Sequence, residues 1–192
     1  GTKPRELRGV AALGKQRVFY EVAEILGGSI PGRSVIIGGG EASFDYALSL
    51  ARAGCEVKIL CRSETTKVAR RLADLVWANP KIEVLQGTTA KKFKSEENGI
   101  SLEIESSHCS PKNKVIQCDV VGVAIGREPC ANDLFTNFQI GSSPVPLTPL
   151  QGLFICGDAR YGGLGQAGMA VGDGLAAAMK IGGIPSGGII DD

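Results

Sequence analysis

A chain of 192 residues with 43% hydrophobic content, 5% aromatic content and a formal net charge of +1 suits one large or two small globular domains. So balanced a charge gives no electrostatic footprint for nucleic acid or an anionic bilayer, and so few aromatics give no base-stacking platform. No apolar run reaches the length of a membrane span and no charged-then-apolar leader opens the chain, so the expected setting is cytoplasmic, with neither nucleic acid nor membrane as partner.

Residues 1–15, with Pro4 and several charges, are expected to be extended, residues 1–11 serving as a linker. Apolar residues at 18, 19, 22, 25 and 26 have helical spacing and predict a helix over 16–26, ended by the turn at 27–32. Val35, Ile36 and Ile37 then read as a buried strand. It runs into Gly38-Gly39-Gly40-Glu41-Ala42-Ser43 and an apolar-periodic helix with Phe44, Ala47, Leu48 and Ala51. Gly38 allows a sharp strand-to-helix bend, Gly40 lets the backbone approach a pyrophosphate, and Ser43 is small enough for close helix–strand packing. The phosphates sit at the helix N-terminus, where unpaired N–H groups favour an anion. A second strand follows on schedule at 56–60, and this context makes the glycines a dinucleotide-binding turn.

The second strand ends Leu60-Cys61-Arg62. An NAD site places a carboxylate at that tip for the ribose 2′-OH, and none stands here; Glu64 comes too late in the loop. Arg62 can grip a 2′-phosphate with its planar fork and Lys67 can add a point charge, which favours NADP over NAD. The competing reading makes Arg62, Lys67, Arg70 and Arg71 a solvated helix face. Ser63 is a good N-cap for that helix, whose apolar face is Val68, Leu72, Leu75 and Val76, and Asn79-Pro80 stops it.

A short strand is expected at 82–85. Residues 100–105 alternate apolar and charged and pair with 114–120 as a β-hairpin or meander. His108 and Cys109 fall in the connecting turn, as an exposed tip rather than a catalytic pair. Residues 120–125 read as a strand buried on both faces, ending at Gly126-Arg127. A loop over 128–151, with Pro129, Pro144, Pro146 and Pro149, leads to a further buried strand over 153–156 that ends at Gly157-Asp158. The last helix spans 166–181. Its Gly168, Gly172 and Gly174 cost about 1 kcal/mol each relative to Ala, which points to close approach of another helix or of a cofactor. The Gly-rich tail 182–192 is expected to fray. Six cysteines (55, 61, 109, 118, 130, 156) form no Cys-x-x-Cys and only one His is present, so six free thiols and no metal site are expected.

Four stretches, in order, resemble the pyridine nucleotide-disulfide oxidoreductase family of two-dinucleotide flavoproteins, nearest its thioredoxin reductase-like branch. Gly1-Thr-Lys-Pro is similar to the end of its Ala-Thr-Gly motif, and Gly38-Gly-Gly-Glu-Ala-Ser-Phe-Asp45 to its NAD(P)H turn with the helical acidic residue. Residues 119–129 are similar to the strand that closes the NAD(P)H domain, and Gly152-Leu-Phe-Ile-Cys-Gly-Asp158 to the motif whose Asp holds FAD. The resemblance implies an α/β fold: a Rossmann-type NAD(P)-binding domain over 12–125 with a central parallel sheet and a hairpin or meander, then the C-terminal part of an FAD-binding domain over 126–192. It implies NADP (or NAD) held by Gly38, Gly39, Gly40, Glu41, Ala42, Ser43, Arg62, Lys67, Ile125, Gly126 and Arg127, and FAD held by Gly157, Asp158, Gln166 and Ala167. It also implies a homodimer, a redox partner protein and hydride passage from NADPH to FAD and onward, with the cofactors carrying the chemistry and no catalytic side chain. The alternative is a non-catalytic dinucleotide-binding module. Two departures stand out. No Cys-x-x-Cys precedes the nucleotide strand, and the family's first FAD turn lies upstream of the motif at Gly1, so the chain is expected to be a fragment.

Overall fold

The two most apolar strands of the sequence run side by side in the middle of a parallel sheet, because only a strand covered on both faces can be apolar throughout. In the computed structural model, which describes residues 1–108, 113–130, 153–161 and 166–183, these are β3 (Arg33–Ile37) and β9 (Val120–Val123). They belong to the larger of two units, Glu6–Gly126. Its sheet also contains β2 (Val18–Phe19), β4 (Glu56–Leu60) and β5 (Ile82–Leu85), in the order β2-β9-β3-β4-β5 with every pairing parallel. The helix α2 (Glu41–Arg52) links β3 to β4, and α3 (Arg70–Trp77) links β4 to β5. On the α2 face Ile36, Val57 and Ile59 pack with Phe44, Ala47, Leu50 and Val76. Burying a side chain such as Phe44 or Leu50 stabilises the fold by roughly 1.5–3 kcal/mol.

The opposite face is covered by an antiparallel meander of β6 (Thr88–Glu96), β7 (Gly99–Ser106) and β8 (Asn113–Cys118). Ile100, Leu102 and Ile104 alternate inward along β7, against Val35, Ile37, Leu60, Val121 and Val123 of the sheet. Outward residues pair across strands, Lys91 with Glu105 and Lys92 with Glu103. The hairpin over 100–120 is thus as its alternation predicts, but β6 carries no such signal. Four of its residues are Lys or acidic, and a bulge between Ala90 and Lys92 interrupts its register, so period-2 patterning is lost.

Three further expectations are corrected. The segment 16–26 is not one helix: Val18–Phe19 form β2 and only Ala23–Leu26 (α1) are helical. Phe19 is fully buried and its ring takes the volume that Gly122 leaves empty, 2.5 Å from where a Cβ there would be, so tertiary packing overrides the helical spacing. Nor are residues 1–15 extended throughout, because Val10–Leu13 form a 3-10 turn that buries Val10 and Leu13 in the core. Lastly, α3 starts at Arg70 with Ala69 as its N-cap, so Ser63 caps nothing; the chain from 62 to 69 remains a loop.

The smaller unit comprises Gly1–Arg5 and Arg127–Asp192. Here β1 (Thr2–Pro4) pairs antiparallel with β10 (Arg127–Pro129). The helices α4 (Asp158–Tyr161) and α5 (Ala167–Gly182) follow, the latter as its sequence predicts. Residues 153–156 form no strand beyond a single bridge at Phe154. Gly168, Gly172 and Gly174 meet no close neighbour among the described residues, so the expected tight helix approach is not seen there. Most of the proline-bearing loop, Cys109 and the tail beyond residue 183 lie outside the described residues.

Candidate dinucleotide site

The chain leaves β3 for β4 on one side while β9 stands on the other, and open α/β sheets bind ligands beyond the carboxyl ends of their strands at such a reversal. Gly38, Gly39 and Gly40 carry β3 into α2 at this point. Gly38 has φ +145°, and a Cβ on it would lie 2.1 Å from the Ala124 carbonyl oxygen beyond β9, so a side chain has no room. Cys61 packs under the turn, its Sγ 3.4 Å from where a Cβ on Gly39 would be. Burial pushes the Cys61 thiol up to about 11. Gly40 is different: a Cβ there would meet nothing within 4 Å. It caps α2 without any side-chain hydrogen bond, so the first N–H groups of the helix have no side-chain acceptor among the described residues.

Ser43 is fully buried and its Oγ donates to the Gly40 carbonyl oxygen at 2.6 Å, so the small third residue also ties the turn to the helix. Ala42 is exposed. Glu41 opens α2, and its carboxylate accepts the Ala69 N–H at 3.3 Å, which ties the start of α2 to the start of α3.

Beyond β4, Arg62 and Lys67 are exposed and have no ion-pair partner among the described residues. Glu64 lies between them in sequence, yet its carboxylate is engaged elsewhere. Ser107 Oγ donates to Glu64 Oε1 at 2.7 Å, and His108 Nε2 contacts Glu64 Oε2. The Ser107 and His108 bonds hold the Glu64 carboxyl below the usual carboxylate range. The turn-rich sequence predicts an exposed position for His108, and it is exposed, but nothing in the sequence pairs it with a residue 44 positions away.

Ile125 and Gly126 follow β9. Ile125 packs against the meander-side core, and Gly126, at φ +101°, borders open space. Arg127 belongs to the smaller unit, where Nε donates to Thr2 Oγ1 and Nη2 to the Thr2 carbonyl, both at 2.9 Å. The structure therefore groups residues 38–43 with the loop after β4 but commits the Arg127 fork to β1.

The smaller unit holds the remaining expected residues. Gly157, at φ +68°, donates its N–H to Asp173 Oδ2 at 2.9 Å, and Arg160 Nη1 donates to Asp173 Oδ1 at 2.5 Å. Both side chains are only 6% exposed. Asp158 is exposed at the start of α4, and Gln166 caps α5 without a side-chain bond. Arg160 and Asp173 were missed by the sequence reading. The available signal was a lone acid inside the glycine- and alanine-rich helix over 167–182. Among the described residues no group of His, Cys, Asp and Glu could hold a metal, and no helix is long and apolar enough to cross a membrane.

Residues 1–174 match the family described as pyridine nucleotide-disulphide oxidoreductase. A thioredoxin reductase of Dictyostelium discoideum is 30% identical over 156 residues, 76% of this chain and 47% of its own length. One from Rickettsia felis is 28% identical over 158 residues, 77% and 50% respectively. The chain thus spans about half the length of these relatives. Among solved structures, a Lactococcus lactis thioredoxin reductase aligns with TM-score 0.81 at 22% identity, over 94% of this chain and 62% of its own. A T. acidophilum thioredoxin reductase aligns with TM-score 0.80 at 18% identity over the same shares. At these identities the solved structures speak for the fold.

Proposed function

This chain belongs to the pyridine nucleotide-disulphide oxidoreductase family, and on that footing we propose that it is the NADPH-binding portion of a thioredoxin reductase-like flavoprotein. Its larger unit is the NADPH-binding domain and its smaller unit belongs to an FAD-binding domain. The observation that carries this reading is the first turn of α2 at the reversal of strand order, where Gly40 caps the helix without a side-chain bond and the space beside its Cα is open. A pyrophosphate fits such a turn, because the free N–H groups and the helix dipole both favour an anion. Arg62 and Lys67 suit a ribose 2′-phosphate, since both are exposed cations without a carboxylate partner among the described residues, and Arg62 offers a bidentate fork.

The residues at Gly157 and Gln166 fit the second cofactor. Asp173 and Arg160 hold the Gly157 turn, Asp158 stands exposed beyond it, and the Gln166 cap of α5 makes no side-chain hydrogen bond. When bound, NADPH supplies a hydride and FAD accepts it. The chain's own part is to bind and orient. Gly38 and Ser43 fix the turn, Glu41 ties it to α3, and no side chain moves a proton. No Cys-x-x-Cys is present, so electrons reach the acceptor by a route other than a thiol pair of that spacing in this chain. The whole protein is proposed to be a cytoplasmic homodimer that hands electrons to a redox partner protein.

Calorimetry with 2′-phosphate-bearing ADP and with ADP tests the nucleotide. The phosphorylated ligand is expected to bind more tightly, and Arg62→Ala to narrow the gap. Equal affinities would remove the NADP assignment. On the whole protein, flavin absorbance bleached by NADPH is the expected sign of the oxidoreductase, and dinucleotide binding without it would leave a binding module; the 192-residue chain by itself, without the first FAD turn, is expected to purify colourless.

A further inference from the structure

The loop that follows β4 contains three charges, Arg62, Glu64 and Lys67, and only the acid has an ionic partner among the described residues. Left to itself, a carboxylate two residues from one cation and three from the other would compete with an anionic ligand for both. Resting on the NADPH reading above, we propose that Ser107 and His108 are specificity-determining residues that sequester the Glu64 carboxylate and so keep the 2′-phosphate site cationic.

Several contacts build this arrangement. Glu64 Oε1 accepts the Ser107 hydroxyl at 2.7 Å and Oε2 contacts His108 Nε2. The turn after β7 that carries both residues is itself anchored: Ser107 donates its N–H to the Gly87 carbonyl at 3.1 Å, and the His108 N–H reaches Ser106 Oγ at 3.4 Å. Ser106 Oγ also accepts the buried Thr88 hydroxyl at 3.0 Å. Thr88 donates its N–H to the Cys61 carbonyl at 2.9 Å, which returns the network to the end of β4. Gly87, at φ +58°, leaves the room, because a Cβ there would lie 2.1 Å from Ser107 Oγ and 2.4 Å from Glu64 Oε1.

The cluster is not a nucleophile relay. Hydroxyl and imidazole each address the carboxylate, one per oxygen, so the ring is not placed to take the Ser107 proton. What the arrangement does is occupy both acceptor oxygens of the one acid in the loop. His108, when protonated, also cancels its charge.

The test measures binding of adenosine 2′,5′-bisphosphate and of AMP to the 192-residue chain, as the ratio of the two dissociation constants. Ser107→Ala/His108→Ala is expected to reduce the preference for the bisphosphate about threefold to fivefold, the scale of one exposed charge pair. Adding Glu64→Gln to that background should restore the preference, which lost packing alone would not do. Glu64→Gln by itself should leave the ratio near its starting value. An unchanged ratio in the double variant, or no recovery on adding Glu64→Gln, overturns the inference. A wild-type ratio near one, or a ratio indifferent to Arg62→Ala, instead overturns the nucleotide reading on which it rests.

Discussion

The glycine turns at Gly38 and Gly157 are held by opposite physics. At Gly38 the constraint is steric: the Ala124 carbonyl fills the space a side chain would need, and Cys61, whose thiol burial keeps protonated, packs below. At Gly157 the constraint is ionic, since the buried Asp173 takes the turn's N–H with one oxygen and the Arg160 guanidinium with the other. A turn shaped by backbone contact needs one residue type at one position and tolerates changes of charge around it. A turn shaped by a buried pair is sensitive to the loss of either partner and to a change of its charge, because breaking a buried pair costs more than an exposed one.

The largest effect that breaks the comparison is expected at the ionic turn. Asp173→Ala breaks a buried ion pair and removes the acceptor of the Gly157 N–H, and should destabilise the protein by about 3–5 kcal/mol in denaturant unfolding. A loss under 1 kcal/mol would show the pair to be dispensable. Gly38→Ala comes next: the strained φ and the clash with Ala124 should together cost about 2–4 kcal/mol and abolish dinucleotide binding. Wild-type binding in that variant would remove the steric account. Arg62→Ala should weaken binding of the 2′-phosphate ligand by about 1.5–3 kcal/mol and leave ADP nearly unchanged, read by calorimetry.

The smallest thermodynamic effect belongs to Ser43→Ala. The Gly40 carbonyl also accepts the Phe44 N–H at 3.4 Å, so removing the Ser43 hydroxyl should cost about 0.5–1.5 kcal/mol. A larger loss would mean that the first turn depends on its hydroxyl rather than on shape. The same steric character is visible chemically. With its thiol pushed up to about 11 by burial, Cys61 has little thiolate near pH 8, so its alkylation should follow global unfolding. Rapid labelling of native protein at Cys61 would show the turn to be open from below.

What could be read from the sequence divides along the same line. The Gly38 turn was legible because its constraint is local: strand, glycines, small residue and helix succeed one another within about fifteen positions. The hairpin of β7 and β8 was legible for the same reason, since Ile100, Leu102 and Ile104 alternate in plain view. The Arg160–Asp173 pair, the Ser107–His108 hold on Glu64 and the course of β2 were not, because each depends on a partner distant in sequence. Phe19 has helical spacing from Val22 and belongs to a strand only because Gly122, far along the chain, makes room for its ring. The assignment of NADPH and FAD to the two units came from motif order, and the binding measurements above are its test.

The strand order has a consequence for how the molecule is made. Because β9 lies between β2 and β3, neither can complete its pairing until residues 120–123 leave the ribosome. A nascent chain that ends near residue 100 already carries β3, α2, β4 and β5, yet presents one unsatisfied edge of β3, an apolar strand with Val35, Ile36 and Ile37. Such an edge invites pairing with another chain, and non-local parallel pairings form slowly. Synthesis therefore passes through a window in which this domain is most prone to aggregate, and it closes when β9 slots into the gap between two strands made a hundred residues before.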